Sequence, residues 1–305
     1  MDAACGKMIA MRAEILAVHE VANGVGESPV WDRGTLRWVD ITGRMVHSLS
    51  PDGVLSGHTM PDLACFLALR RDGGAIVGLR REVAYLDLRS GRLEHWFDVE
   101  PDRPENRCND AGVDPAGRLW FGTMQNNVDS GGGPRPMTGA TGALYRVDAG
   151  GTRTRILDDF GLPNTLAWTP DGATMYFGDT AQNRIRRYGL DSGGGIVSTQ
   201  AFHGPPPVGH CDGSTLDAEG YLWNARFGGG CVIRFAPDGS VDARIDLPVT
   251  NPTSCCFGGE DLRTLYVTSA RFGMTQAELA ANPAEGALIA LATDVEGLPV
   301  NRFAG

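Results

Sequence analysis

The chain has 305 residues, of which 42% are hydrophobic and 21% are charged, so a sizeable core is possible and wholesale disorder is not expected. Its formal net charge of −10 offers no basic footprint for phosphate backbones, and its apolar runs are too short to span a bilayer. We therefore expect neither a nucleic-acid partner nor a membrane partner. Seven irregularly spaced cysteines without a CxxC pair favour a reducing, cytoplasmic location over a disulfide framework.

One pattern recurs along the chain: an apolar strand, a tight turn that usually contains glycine, and an aromatic-rich strand. Each copy predicts a hairpin of two alternating strands, and most copies are followed by a further short strand such as GALYRVD. In chain order the copies read ESPVWDRGTLRWVDI, CFLALRRDGGAIVGL, NDAGVDPAGRLWFGT, NTLAWTPDGATMYFGDT, GSTLDAEGYLWNAR and TSCCFGGEDLRTLYVTS.

These repeats are spaced by about 40 to 55 residues, which is within the range of propeller blades. A single four-stranded blade cannot bury both of its faces, whereas radial stacking of blades buries them. We therefore predict an all-β fold in which residues 13–305 form a single six-bladed β-propeller, with a large β-sandwich as the alternative. The run AEILAVH, which begins at Ala13, would close the ring with the C-terminal blade. We expect residues 1–12 to be a disordered N-terminal extension.

One stretch departs from the repeat. GMTQAELAANPAEG, which begins at Gly273, predicts a short helix with Thr275 as its N-cap. We interpret this helix as an insertion in the last blade.

Two aspartates stand close together in the stretch GHCDGSTLDAEG. Asp217 precedes a hairpin turn, and a turn-forming role is sufficient to explain it. Asp212 has no such role and instead occupies the repeat position that Glu27, Asn109 and Asn164 occupy in their own blades. This equivalence raises the question of what Asp212 does.

The inner strands of a propeller line its channel, so polar residues at the start of each inner strand converge at the channel mouth. This set comprises Glu27, Arg107, Asn109, Asp110, Asn164 and Asp212. Carboxylate and amide oxygens that converge in this way form a hard-oxygen cage for a divalent cation. Without a cation, two adjacent buried carboxylates would repel each other and one would take up a proton.

The motifs GESPVW, RCNDAGVDPAGRLWFGTM, LPNTLAWTPDG, CDGSTLDAEGYLWNA and TSCCFGGEDLRTLYVTSAR occur here in that order. In this respect the chain resembles the family of senescence marker protein, gluconolactonase and regucalcin, from about Glu14 onward. The resemblance implies a six-bladed propeller that binds one divalent cation and hydrolyses a sugar-acid lactone.

The same resemblance assigns roles to residues. It implies that Glu27, Asn164 and Asp212 are the metal ligands and that Arg107 and Asn109 contact the substrate. An acidic substrate contact of some members falls near Asn127, where this chain has an amide instead, so the sugar preference is open. The cation would polarise the lactone carbonyl, and Asp212 would also accept a proton from the attacking water.

Several alternatives remain open at this point. The cation could be calcium, zinc, manganese, magnesium or iron, and the substrate a pentono- or hexonolactone. The site could instead hydrolyse an aromatic lactone or an organophosphate, or serve a non-catalytic calcium-binding scaffold. Contacts of His203, His210 or Asp179 with the substrate are further possibilities. We expect a monomer or a weak homo-oligomer.

Overall fold

Residues 13–203 and 208–305 are described by the computed structural model, so the expectation for residues 1–12 lies outside the described part. Within that part, 24 strands form six four-stranded antiparallel sheets. The innermost strand of each sheet packs against the innermost strands of its two neighbours, which closes a ring around a central channel. The predicted six-bladed β-propeller is therefore confirmed, and the sandwich alternative is wrong.

Blades one to five each use four consecutive strands, ordered from the channel outward. Blades one and two contain β2 (Gly26–Asp32), β3 (Thr35–Asp40), β4 (Met45–Leu49), β5 (Leu55–Thr59), β6 (Ala64–Leu69), β7 (Ala75–Leu79), β8 (Glu82–Leu86) and β9 (Leu93–Asp98). Blade three contains β10 (Asn106–Val113), β11 (Leu119–Gln125), β12 (Gly142–Val147) and β13 (Arg153–Phe160). Blades four and five contain β14 (Pro163–Trp168), β15 (Thr174–Asp179), β16 (Arg184–Leu190), β17 (Ile196–Ala201), β18 (His210–Leu216), β19 (Leu222–Phe227), β20 (Cys231–Phe235) and β21 (Val241–Asp246), with a 3₁₀ turn at Thr180–Gln182.

Blade six is built from both ends of the described chain. It contains β22 (Pro252–Gly258), β23 (Thr264–Ser269) and β24 (Leu288–Thr293), and its outer strand is β1 (Ala13–His19). The antiparallel pairing of β1 with β24 confirms the predicted ring closure.

The predicted helix is also present in blade six. Helix α1 (Gln276–Ala281) lies between β23 and β24, and Thr275 caps it. The Thr275 hydroxyl accepts from the main-chain N–H of Glu278, and the Glu278 carboxylate accepts from the N–H of Thr275 at 2.7 Å. This reciprocal capping box fixes where the helix begins.

Each inner strand carries a β-bulge or register shift near its first residues. In β2 and β14 the distortion follows Glu27 and Asn164, and the next residues, Ser28 and Thr165, have positive φ angles of 51° and 59°. Such a conformation is costly for residues other than glycine and is maintained where surrounding contacts fix it. The bulges thus aim the side chains at the channel mouth.

The other end of the channel is covered by residues 297–305. The N–H of Leu298 donates to the carbonyl of Leu216, and the Asn301 amide donates to the carbonyl of Val113 at 3.0 Å. A cavity of about 260 Å³ lies between this segment and channel-lining residues that include Ser28 and Asp110. No helix in the described ranges has both the length and the apolar character that a membrane span requires.

Candidate active site

The three predicted metal ligands all stand within the first three residues of an inner strand. Glu27 lies on β2, Asn164 on β14 and Asp212 on β18, in blades one, four and five. None of the three side chains belongs to a residue more than 8% exposed. The Glu27 and Asp212 carboxyl groups are close enough for the charge of one to raise the pKa of the other. The propeller therefore brings together carboxylates that are 185 positions apart (212 − 27) in the sequence.

The Asp212 carboxylate has an unusual environment. Its Oδ1 atom is buried and accepts no hydrogen bond from any residue that the structure describes. Glu27 also has few hydrogen-bond donors: one of its oxygens accepts from the N–H of Ser28 at 3.1 Å. Buried carboxylate oxygens normally find donors, so this arrangement leaves two acceptors for a ligand that carries positive charge.

Asn164 is hydrogen-bonded to one of the predicted substrate contacts. Its Nδ2 donates to Thr180 Oγ1 at 2.7 Å, and its Oδ1 accepts from Asn109 Nδ2 at 3.1 Å. The amide is therefore fixed by one bond at its nitrogen and one at its oxygen. A second lone pair on that oxygen remains for another partner.

Arg107 is held in place by three acceptors. Its guanidinium donates to the Cys108 carbonyl at 2.7 Å, to Asn109 Oδ1 at 2.8 Å and to Asn127 Oδ1 at 2.9 Å. The predicted substrate contacts Arg107, Asn109 and Asn127 thus form one hydrogen-bonded chain that ends at Asn164. Arg107 Nε is buried without a partner among the described residues.

Asp110 is a third buried carboxylate at the same mouth. It accepts from the N–H of Ala111 at 2.8 Å, and the backbone of Thr165 and Leu166 also donates to it. The sequence predicts it as part of the converging polar set, and the structure adds that it faces the blade-four strand carrying Asn164. Its main-chain partners give it a supporting role in fixing that strand.

Burial and mutual repulsion dominate the electrostatics of these carboxyl groups. Burial, followed by the negative charge of Asp110, raises the pKa of Glu27 to about 8. Burial, followed by the charges of Glu27 and Asp110, raises the pKa of Asp212 well above its usual value. Burial also raises the pKa of Asp110 to about 7. Because the positive charge of Arg107 offsets the shift at Glu27 only in part, a divalent cation would relieve all three groups at once.

These shifts predict an unusual dependence of stability on pH in chelator-treated protein. The folded state of Glu27 holds its proton up to about pH 8, whereas the unfolded state loses it near 4.5. The contribution of Glu27 to the free energy of unfolding is fully present below the pKa of the unfolded state. It is lost as the pH rises through the pKa of the folded state. Between pH 5.5 and 8 we expect the free energy of unfolding to fall, by up to about 1.4 kcal/mol per pH unit for each such carboxyl.

Urea denaturation at a series of pH values measures this effect. The variant Glu27→Gln is the matched control and should show a shallower decline. A metal-free wild type whose stability is level or rises across this range would contradict the expected charge repulsion.

Two polar residues that the sequence did not single out, Asn224 and Arg226, support the main chain of Asp212. Asn224 Nδ2 donates to the Asp212 carbonyl at 2.8 Å, and Arg226 donates to Asn224 Oδ1 at 2.7 Å. Thr165 Oγ1 also donates to the Asp212 carbonyl at 2.5 Å. Polar residues at alternate positions of the buried strand LWNARF were the available signal, because such positions face one side of the sheet.

The remaining possible contacts have other surroundings. Asp179 accepts main-chain N–H groups of Gly161, Leu162 and Ala181, each at 3.0 Å, so its oxygens hold a loop. His203 stacks on Phe235 with ring centroids 4.8 Å apart, and His210 is exposed at the start of β18.

This chain is similar to known proteins over most of its length. The profile of the family described as SMP-30/Gluconolactonase/LRE-like region matches residues 25–271. A 6-deoxy-6-sulfogluconolactonase from Pseudomonas putida is 38% identical over 287 residues, which cover 92% of this chain and 95% of that protein. An L-arabinolactonase from Azospirillum brasilense is 36% identical over 300 residues, with 96% of each chain covered.

Similarity in three-dimensional structure points to the same family. A solved structure of a calcium-binding protein, regucalcin, from Agrobacterium tumefaciens superposes with a TM-score of 0.87 at 33% identity, covering 95% of this chain and 98% of that one. The resemblance recognised in the motifs is therefore confirmed, and this chain belongs to the SMP-30/gluconolactonase/LRE-like family.

Proposed function

We propose that this protein is a lactonase that hydrolyses a sugar-acid lactone, a pentono- or hexonolactone, to the free aldonic acid with the help of one divalent metal ion. Similarity over nearly the whole chain to proteins named for sulfogluconolactone and arabinolactone hydrolysis supports the lactone as substrate. The observation that carries the metal requirement is the buried Oδ1 of Asp212, which accepts no hydrogen bond from the described residues, in a carboxylate that feels the charge of Glu27.

The residues present fit a divalent cation. Glu27, Asn164 and Asp212 would hold it through one amide and two carboxylate groups, which are hard oxygen ligands. When bound, it would supply Lewis-acid polarisation of the lactone carbonyl and lower the pKa of a water molecule. Three protein ligands leave further positions for substrate and water.

The chain's own residues supply the remaining chemistry. Asp212 would take the proton of the attacking water on a carboxylate oxygen and return it to the departing ring oxygen, so that proton and charge balance. Arg107 would donate hydrogen bonds to sugar hydroxyls and the ester oxygen. Asn109 would accept one from a hydroxyl through Oδ1, because its Nδ2 already donates to the Pro163 carbonyl and to Asn164 Oδ1. Asn127 would act through its contact with Arg107 and offer an amide to a hydroxyl.

The oxygen ligand set does not select one metal. The relative solved as a calcium-binding protein favours calcium, and manganese, magnesium, zinc and iron accept the same donors. We further propose that residues 13–305 act as a single domain, that the protein is a cytoplasmic monomer or weak homo-oligomer, and that it binds neither nucleic acid nor membranes.

A lactone panel with metal removal tests this function. Xylono-, arabinono-, galactono- and gluconolactone are presented in a pH-indicator assay to chelator-treated protein and to protein resupplied with each metal. We expect activity above the spontaneous rate with at least one lactone, its loss on chelation and its return on metal addition. Full activity after exhaustive chelation would contradict the metal requirement.

The second candidate function is a calcium-binding scaffold without catalysis, which the likeness to regucalcin favours. Metal binding without hydrolysis of any lactone would support it. Hydrolysis of aromatic lactones or organophosphates alone would instead indicate a different ester substrate, because hydroxyl-binding donors reject analogues that leave them unpaired.

A further inference from the structure

Thr180 lies between two of the strands that carry predicted metal ligands. It directly follows β15 and begins the 3₁₀ turn of blade four. Its Oγ1 atom is 2.7 Å from Asn164 Nδ2 and 2.6 Å from the carbonyl oxygen of Cys211, the residue before Asp212. Thr180 therefore connects the side chain of one predicted ligand to the main chain beside another, and the reaction described above does not use it.

The direction of both hydrogen bonds of Thr180 follows from a count of protons. A threonine hydroxyl has one proton to donate, and a main-chain carbonyl can only accept. The proton of Thr180 therefore goes to the Cys211 carbonyl, and Thr180 Oγ1 is the acceptor in its other bond. Only the NH₂ group of Asn164 can donate there, so the amide has its nitrogen toward Thr180 and its oxygen away from it.

Asn109 selects the same orientation from the other end of the Asn164 amide. Asn109 Oδ1 accepts from the guanidinium of Arg107, which can only donate. Asn109 Nδ2 donates to the Pro163 carbonyl at 2.8 Å, which can only accept. The NH₂ group of Asn109 therefore faces Asn164 and needs an oxygen, which it finds at 3.1 Å.

The hydrogen bonds consequently run in one direction from blade three to blade five. They pass through Arg107, Asn109, Asn164, Thr180 and the Cys211 carbonyl. In a reversed Asn164 amide, two NH₂ groups would face each other, and an oxygen would face a hydroxyl whose proton is already donated. Polar groups left unpaired in this way destabilise the reversed orientation.

The start of β14 also lies against the start of β18. Thr165, the residue after Asn164, donates its hydroxyl to the Asp212 carbonyl at 2.5 Å. Together with the bond from Thr180 to Cys211, this contact fixes blade four against the strand that carries Asp212. The Asn164 amide is thus oriented at the place where two predicted ligand strands meet.

Resting on the proposed metal-dependent function, we propose that Thr180 is a positioning residue that makes Asn164 present its amide oxygen, and not its nitrogen, to the divalent cation. Such a cation binds the carbonyl oxygen of an amide and is repelled by the NH₂ hydrogens. The two ends of an amide have nearly the same size, so packing alone does not choose between them. Thr180 makes the choice because its only proton is used by Cys211.

Metal titration of a variant without the hydroxyl tests this role. Manganese and calcium are titrated separately into chelator-treated wild type by calorimetry, and the ion that binds more tightly is used for every variant. Thr180→Val keeps the branched shape and should raise the Kd by at least about tenfold, since residues that orient metal ligands typically contribute this much. Thr180→Ser keeps the hydroxyl, and its Kd should stay within about threefold of wild type.

Thr293→Val is the matched control. The Thr293 hydroxyl also donates to main-chain carbonyls, those of Arg263 at 3.0 Å and Val295 at 2.8 Å, but it lies on β24, the third strand from the channel in blade six. Urea denaturation shows how far each substitution lowers stability. Thr293→Val should leave the Kd within about twofold of wild type whatever its effect on stability.

The Asn164→Asp background separates orientation of the amide from general support of the fold. A carboxylate presents an oxygen to the cation whichever way it is turned, so it needs no residue to choose between its two ends. In this background Thr180→Val should raise the Kd by less than about threefold, against at least about tenfold with Asn164 in place.

The outcomes distinguish this role from the proposed function. Equal increases in Kd in both backgrounds, or a Thr180→Val protein that binds the ion as tightly as wild type, would overturn the role of Thr180 and leave the metal site intact. A wild type that binds neither manganese nor calcium would defeat the metal requirement itself. Should Thr180→Val not fold, Thr180→Ala removes the hydroxyl with a smaller side chain, and the same comparison decides the question.

Discussion

Asp212→Asn is expected to lower kcat/KM for lactone hydrolysis by about 10³-fold or more, because one side chain serves both as metal ligand and as proton acceptor. The substitution keeps the size of the side chain and removes the charge and the basic oxygen. In the metal-free state it should not lower stability, since it removes a buried carboxylate whose Oδ1 accepts no hydrogen bond from the described residues. Stopped assays at saturating metal, with melting curves of the same samples, separate the two effects.

The residual activity of Asp212→Asn shows whether Asp212 takes part in the chemistry. A loss of less than about tenfold at saturating metal would contradict the role of Asp212 in the chemistry. A large loss accompanied by unfolding would be uninformative about chemistry, and for that case Glu27→Gln provides an independent removal of one ligand charge. Glu27→Gln should weaken metal binding and leave any residual rate dependent on metal concentration.

Asp217→Asn should lower stability and not activity, the reverse of Asp212→Asn. We expect the free energy of unfolding to fall by about 3 to 5 kcal/mol and the rate per folded molecule to be retained. Asp217 Oδ2 accepts from Trp223 Nε1 at 2.9 Å and from Arg234 Nε at 2.8 Å, and Oδ1 accepts from the N–H of Tyr221. The amide variant would leave the buried Arg234 with one charge partner fewer in a nearly water-free environment.

Urea denaturation monitored by tryptophan fluorescence measures this loss. Asp238→Asn is the control, because Asp238 also forms a turn but is exposed, and its midpoint should hardly move. If Asp217→Asn were as stable as wild type, the ion-pair network would not be the function of Asp217. If it folded normally and lost activity, the assignment of the two aspartates would be reversed.

The architecture could be predicted from the sequence because each blade repeats the same local sequence pattern. Turn residues and alternating strands recur six times, and Asp217 and Asp114 illustrate the repeat, since each accepts from the indole N–H of a tryptophan six positions later. Converging positions such as Glu27, Asn164 and Asp212 could be identified because a propeller places equivalent repeat positions at the same end of the channel.

Features that depend on contacts between blades could not be predicted in this way. The positive φ angles of Ser28 and Thr165 are unusual for these residue types, and contacts with neighbouring blades fix them. The N–H of Cys108 in blade three donates to the carbonyl of Arg80 in blade two, which is a further contact between blades. Periodicity within one chain segment carries no information about such contacts, and the bulge that re-aims a side chain leaves no consistent residue signature.

The location of a bound metal decides whether Glu27, Asn164 and Asp212 form one metal site. Crystals equilibrated with manganese would be measured near the manganese absorption edge to locate the ion by anomalous scattering. We expect one strong peak per chain, about 2.0 to 2.6 Å from oxygens of Glu27, Asn164 and Asp212. A strong peak at the exposed group of Glu82, His95 and Asp98, whose ligand atoms lie within 4.8 Å of one another, with none at the channel mouth, would contradict it.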